Sequence, residues 1–400
     1  TLNIRLGAAD LEYIINHAGD RVIFADEDLL PLLEPLLDKL PTVEKIIICR
    51  HGEGGETTFG DTEDYEAFIQ DQPTQYAWPD IDEHAPMGLC YTSGTTGKPK
   101  GVMYTHRSTY LHTINQAMTD SMSFSALDAV CGIAPMFHAM GWGVPFTASM
   151  LGCKQVMPHR FMDPERLLQL MCDEEVTLSA GVPTIWQGVK TVLENNPGKY
   201  DTQLLSRLTC GGSAPPVSMM RWYWQEHGIE MIQGWGMTET NPLGTLSRKV
   251  AKRSHLTLSE DQQFDNIAKA GLASPGLEIE IFDENWKTLP HDGEAVGELL
   301  IRGPWICSEY YNDPQPEKFH DGWLVTGDVA KIDQEEYLII ADRSKDLIKS
   351  GGEWISSVDL ENHIVALPGV RQAAVVAQPH PKWDERPVAL VILLEGANVT

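Results

Sequence analysis

The chain has 400 residues, 42% of them hydrophobic and 22% charged, the balance of a folded globular protein of two or three domains. Thirty basic against 57 acidic residues leave a net charge of −27, which argues against any non-specific grip on nucleic acid or anionic membrane. No run of roughly 18 uncharged apolar residues occurs, so no integral membrane association is expected, and seven scattered cysteines without C-x-x-C spacing predict buried thiols in the cytoplasm rather than a zinc or redox site.

In chain order, Arg21–Ala25 and Lys45–Cys49 are short β-branched runs that predict buried strands. Met87–Cys90 is a similar run, and it leads into Tyr91-Thr92-Ser93-Gly94-Thr95-Thr96-Gly97-Lys98-Pro99-Lys100-Gly101. Glycines there permit positive φ, so consecutive N–H groups can converge on an anion, with hydroxyls and lysines adding donors and charge. No Walker A register fits this loop. Pro164–Glu174 is amphipathic with proline at a helix start, Val176–Ala180 reads as a strand, Pro216–His227 as a helix closed by Gly228, and Ile229–Gln233 as another strand. This alternation predicts a parallel sheet covered on both faces. From about Ala270 the texture changes to period-two strands at Leu277–Ile281, Val296–Arg302 and Tyr337–Ile340, an antiparallel β region. The polar run Asp342–Asp346 then precedes a helix from about Ser357 and a strand at Gln372–Ala377. The fold class is therefore α/β. A large domain of mostly parallel α/β-sheet subdomains spans residues 1–341, with a small β subdomain over 270–341. A hinge at 342–346 leads to a small, incomplete α+β domain at 347–400. The start at Thr1 without methionine, and the end soon after the run Val388–Leu394, suggest that both termini are cut from a longer protein.

The loop resembles the phosphate-binding signature of the adenylate-forming superfamily. Matches to that family continue in order with Gly211-Gly212-Ser213-Ala214-Pro215 and Gln233-Gly234-Trp235-Gly236-Met237-Thr238-Glu239-Thr240. They end with Trp323-Leu324-Val325-Thr326-Gly327-Asp328 and the stretch from Asp342 to Glu353. Pro135-Met136-Phe137-His138 with Trp142, and Gly351 to Glu361, look closest to bacterial medium- and long-chain fatty acyl-CoA synthetases. The resemblance implies an ATP-dependent carboxylic acid–CoA ligase of lipid metabolism that uses ATP, Mg2+ and coenzyme A on a small-molecule carboxylic acid. A homodimer is possible. Rival readings are a ligase for a short acid such as 3-methylthiopropionate, a peptide-synthetase adenylation domain, and, for this stretch alone, a nucleotide-binding module without adenylation activity. The last arises because a lysine that the family uses near its extreme C-terminus lies beyond Thr400.

Residue by residue, the resemblance implies that Glu239 and Thr92 hold the metal, and that both act in catalysis together with Lys349. Thr92, Ser93, Gly94, Thr95, Thr96 and Lys100 would cradle phosphates. Gly212, Ser213 and Ala214 would lie along the adenine, with Gln233, Gly234, Trp235 and Thr238 beside them. Trp235 stands where the family usually has tyrosine; it keeps a flat ring for stacking and lacks the hydroxyl. Asp328 would accept both ribose hydroxyls, Arg343, Lys345 and Lys349 would contact the nucleotide, and Trp354 would join them. His138, Ala139 and Trp142 would face the acid. Trp142 reads as a gate with room to swing between Gly141 and Gly143, or as a core aromatic; His138 is likewise open to a buried histidine.

Overall fold

The computed structural model describes residues 1–51, 62–92, 98–159, 162–343, 348–350, 353–355, 357–365, 367, 369–380, 384–393 and 396–397. The predicted loop residues Ser93 to Gly97, together with Lys345, Asp346, Gly351 and Gly352, lie outside the described residues.

The main sheet has seven strands in the spatial order Leu272–Ala273, Leu243–Ser247, Glu230–Gly236, Arg207–Cys210, Leu178–Gly181, Ala129–Gly132, Lys154–Val156. Its five strands from Glu230–Gly236 onward run parallel. The main sheet is mostly parallel, as expected; at one side Leu243–Ser247 and Leu272–Ala273 join antiparallel. The cause is local. Glu230–Gly236 is followed by a tight reversal at 237–242, with Met237 N–H donating to the Pro242 carbonyl (3.1 Å), so the chain returns beside itself without a crossover helix.

Helices cover this sheet for reasons visible in the chain. Asp163 caps Pro164–Asp173 by accepting from Arg166 N–H at 3.1 Å, and proline occupies the first turn. Leu167, Leu168 and Met171 are buried on one face and pack with Trp186, Tyr223 and Phe264 into the largest core cluster. Tyr223 is fully buried and satisfies its hydroxyl by donating to the Trp186 carbonyl at 2.6 Å.

A smaller parallel sheet joins Val22–Asp26, Lys45–Cys49 and Thr62–Asp64. The predicted antiparallel β region forms from Glu278–Phe282, Gly297–Arg302, Trp323–Ile332, Phe319–His320 and Leu338–Arg343. A further sheet orders Glu353–Ile355, Ile348–Ser350, Asp384–Leu393 and Val370–His380, with the helix Ser357–Val365 against it. Asp342 belongs to the strand Leu338–Arg343 and is buried, accepting from Ser357 N–H (2.7 Å) and its hydroxyl (2.8 Å). The predicted hinge therefore begins inside a strand. All seven cysteines are free thiols.

Candidate active site

The strand Pro86–Tyr91 pairs antiparallel with Gly101–Thr105, so the loop between them is carried on a hairpin. Its stem is closed by Thr92 N–H to the Lys100 carbonyl (2.9 Å) and by Lys100 N–H to the Thr92 hydroxyl (3.1 Å). Thr105 then caps the helix His106–Ala117 in a reciprocal capping box with Ser108.

Two segments distant in sequence meet at this hairpin. Tyr104, 2% exposed, donates its hydroxyl to the Thr238 carbonyl at 2.7 Å. Tyr311 N–H donates to the Gly101 carbonyl (2.8 Å), and Cys307 N–H to the Glu239 carbonyl (2.8 Å). The Tyr310 hydroxyl donates to Glu239 Oε1 at 2.6 Å. Burial, then the facing Glu239 carboxylate, pushes the Tyr310 hydroxyl far above its usual range, so it stays a donor. The Lys100 ammonium lies 5.0 Å from the Tyr310 ring centroid and donates to Gln315 Oε1 at 2.7 Å.

Glu239 is 6% exposed. Apart from Tyr310, its carboxylate has no hydrogen-bond partner among the described residues. Among those residues no cluster of three or more His, Cys, Asp or Glu side chains forms a metal cage. One buried carboxylate with an oxygen to spare suits magnesium, a cation held typically by one or two carboxylates, substrate phosphates and water. It does not suit zinc or calcium, which take most of their ligands from the protein.

The segments predicted to contact the nucleotide at Gly212–Ala214 and Gln233–Trp235 lie at the carboxyl ends of parallel strands, where open α/β sheets bind ligands. Arg207–Cys210 ends at Gly211, after which Gly212, Ser213 and Ala214 are exposed. Gly212 has φ +82°, a backbone that favours glycine. Gln233 is buried, and Gly234, Trp235 and Thr238 are partly covered. Trp235 does more than offer a flat ring: its indole N–H donates to Asp328 Oδ2 at 2.9 Å. Asp328 N–H donates to the Thr326 hydroxyl (3.1 Å), and Arg343 is its backbone partner across the sheet. Lys349 and Trp354 face each other in register in the sheet that contains Ile348–Ser350.

The segment predicted to face the acid is more strained than the sequence suggests. His138 precedes five consecutive residues with positive φ: Ala139 (+42°), Met140 (+53°), Gly141 (+67°), Trp142 (+59°) and Gly143 (+72°). Three of these carry side chains, at a cost of roughly 1–2 kcal/mol each. Such outliers persist where surrounding structure fixes them, and they cluster at functional sites. The two glycines are closely approached by neighbouring side chains. A Cβ on Gly143 would lie 2.7 Å from His112 Cε1, and one on Gly141 2.9 Å from Met136 Sδ. The Trp142 ring is packed toward Gly211, where an added Cβ would lie 3.3 Å from Cη2. Gln116 holds the turn by donating to the Trp142 carbonyl at 2.8 Å. Ala139 is buried and the His138 side chain is exposed; partial desolvation, then the Arg5 charge, lowers the His138 pKa.

Residues 1–311 match the model of the AMP-binding enzyme family, and residues 359–400 that of the AMP-binding enzyme C-terminal domain. The chain belongs to the AMP-binding enzyme family. It is 40% identical to the medium-chain-fatty-acid–CoA ligase of Ectopseudomonas oleovorans, over 100% of this chain and 73% of that protein. It is 42% identical to the 3-methylmercaptopropionyl-CoA ligase of Ruegeria pomeroyi, over 99% and 73%. Among solved structures, ATP-bound MatB from Rhodopseudomonas palustris superposes with a TM-score of 0.81 at 25% identity, covering 100% of this chain and 74% of that one.

Sequence reasoning missed Tyr310, Tyr104 and Gln315. The aromatic pair Tyr310-Tyr311 directly before the turn residues Asn312-Asp313-Pro314 was the available signal, but nothing local says that Tyr310 reaches Glu239, 71 positions away. No helix among the described residues is long and apolar enough to cross a membrane.

Proposed function

We propose that this AMP-binding enzyme is an acid–CoA ligase whose acid is a fatty acid. In the first half-reaction a carboxylate oxygen attacks the α-phosphorus of ATP, pyrophosphate leaves, and an acyl-adenylate forms. In the second, the thiol sulfur of coenzyme A attacks the acyl carbonyl, AMP leaves, and the thiol proton passes to solvent. Glu239 and Thr92 are the residues to hold Mg2+, which when bound neutralises charge as an anion meets a polyanion. Asp328, oriented by Trp235, takes the ribose hydroxyls, and Gly212, Ser213 and Ala214 lie along the adenine. The loop Ser93–Thr96 with Lys100 takes the phosphates. Lys349, Lys345, Arg343 and Trp354 serve from the side of the smaller domain, beyond a hinge at 342–346. Free thiols throughout suit a reducing cytoplasm.

The observation that carries the fatty-acid reading is the setting of Trp142. It packs against two core clusters, one containing Val144, Leu178 and Ile232 and the other Cys90, Tyr104 and Ala139, and it lies beside Gly211 at the start of the proposed adenine segment. Apolar walls reward each buried methylene by ~0.8 kcal/mol, or about fourfold in kcat/KM. The test is pyrophosphate release with straight-chain acids of increasing length beside 3-methylthiopropionate. A climb of about fourfold per methylene before a plateau is expected. A flat alkanoic series with 3-methylthiopropionate as the best substrate overturns this reading.

A further inference from the structure

We propose that Tyr310 is the positioning residue that aims the Glu239 carboxylate and ties it to the stem of the phosphate loop. The inference rests on Glu239 as the metal contact.

A buried carboxylate on a tight turn has two equivalent oxygens and a freely rotating terminal torsion. Tyr310 removes that freedom. Its ring is 5% exposed and packed with Cys90, Val102, Tyr104 and Ala139, so the hydroxyl has a fixed origin. From there it donates 2.6 Å to Oε1, which leaves Oε2 as the oxygen to meet a ligand. The backbone of the same segment clamps the Glu239 carbonyl through Cys307 N–H at 2.8 Å, so main chain and side chain are held from one side.

The second half of the inference concerns Lys100. Its ammonium sits over the Tyr310 ring, 5.0 Å from the centroid, and donates to Gln315 Oε1 at 2.7 Å. Tyr311 N–H bonds to the Gly101 carbonyl (2.8 Å) one residue further along the same stem. Residues 307–315 therefore bind both the loop's cation and the turn that carries the carboxylate. Tyr310 is the side chain common to the two, with its ring under Lys100 and its hydroxyl on Glu239. A fixed separation between a cation and a carboxylate is what recognition of a metal–triphosphate needs. Charged groups held in place act without reorganising when the ligand arrives.

The experiment compares the chain with Tyr310→Phe, which deletes one oxygen and keeps the buried ring. Calorimetric titration with a non-hydrolysable ATP analogue is run with Mg2+ and again with a chelator. Affinity in Mg2+ should fall about tenfold or more in Y310F, the loss expected for a hydrogen bond to a charged group. Affinity without metal, and the melting temperature, should stay close to the parent. Glu239→Gln and the double variant are titrated alongside. If Tyr310 acts through Glu239, Y310F adds no further loss on top of E239Q. Unchanged Mg2+-dependent affinity in Y310F, with E239Q impaired, overturns the positioning role while Glu239 keeps its own. Full Mg2+-dependent affinity in E239Q overturns both. Equal weakening of Y310F with and without metal points to a structural role and also overturns the inference.

Discussion

Trp235 donates its indole N–H to Asp328 Oδ2 at 2.9 Å, although 93 positions separate the two residues. The bond joins the end of the strand Glu230–Gly236 to the strand Trp323–Ile332 of the β region, and it gives a residue proposed to stack on the adenine a second part, as a hydrogen-bond donor to a carboxylate. Trp235→Phe keeps a flat ring and deletes the donor. A charge-assisted bond is worth about 1.5–3 kcal/mol, so the apparent KM for ATP should rise at least about tenfold, with the KM for the acid little changed. Steady-state kinetics with each substrate varied in turn decides this. An unaltered KM for ATP in W235F would mean that Trp235 is not what orients Asp328.

Gly236 is the second consequence of that strand end. A Cβ there would fall 1.7 Å from the Pro242 carbonyl oxygen, a distance no relaxation of a side chain can relieve, because the obstacle is backbone. Gly236→Ala must therefore open the 237–242 reversal and displace Glu239. Adenylation should drop by two orders of magnitude or more, the scale of losing a positioned electrostatic group. Pyrophosphate release, with circular dichroism to confirm retained structure, is the measurement. Activity within tenfold of the parent would show that the turn need not be closed.

Much of the fold was legible because it is written in period and punctuation. Lys45–Cys49 is the strand its β-branched run predicts, and Gly228 closes Val217–His227 with φ +68°, as a glycine C-cap should. What the pattern could not carry is any contact between distant segments. The antiparallel side of the main sheet depends on a carbonyl–amide pairing inside a six-residue reversal. Tyr310 is an ordinary tyrosine until the fold brings it to Glu239. The left-handed turn at Ala139–Gly143 is opaque for a different reason, since Ala, Met and Trp do not announce positive φ and only surrounding packing imposes it. The glycines flanking Trp142 were legible as special, and at both a Cβ would meet a neighbouring side chain, His112 or Met136.

Trp142→Ala follows from that turn. On sequence grounds the ring is remote from every nucleotide motif, and acid selectivity should change more than the affinity for ATP. The contact with Gly211 alters the expectation, because the ring also supports the segment before Gly212. The chain-length profile should flatten, and the KM for ATP should rise a few-fold as well. Gly211→Ala, which pushes on the same ring from the other side, should shift the acid profile in the same direction. An acid profile identical to the parent's in both variants would remove Trp142 from the acyl wall.

His112 supplies a prediction that concerns stability alone. Burial lowers its pKa from 6.5 to about 3. The neutral ring is consistent with its contacts, since Nε2 accepts from Leu243 N–H at 3.4 Å and the ring packs against Gly143 and Trp305. In the unfolded chain the imidazole regains its ordinary pKa, so between pH 6.5 and about 3 the unfolded state binds a proton that the folded state refuses. Folding stability therefore falls as pH falls through 6.5, and this contribution keeps growing until about pH 3. The slope approaches about 1.4 kcal/mol per pH unit in the middle of that window. Carboxylates add their own pH dependence, so the useful quantity is the difference between two proteins. His112→Gln keeps an acceptor for Leu243 and cannot titrate. Its absolute stability will be lower for reasons of packing, but denaturant titrations from pH 4 to 6 should give a shallower dependence on pH, by about one proton per molecule. Parallel profiles for the two proteins would show that His112 is protonated in the folded state, and that its buried Nδ1 finds a partner.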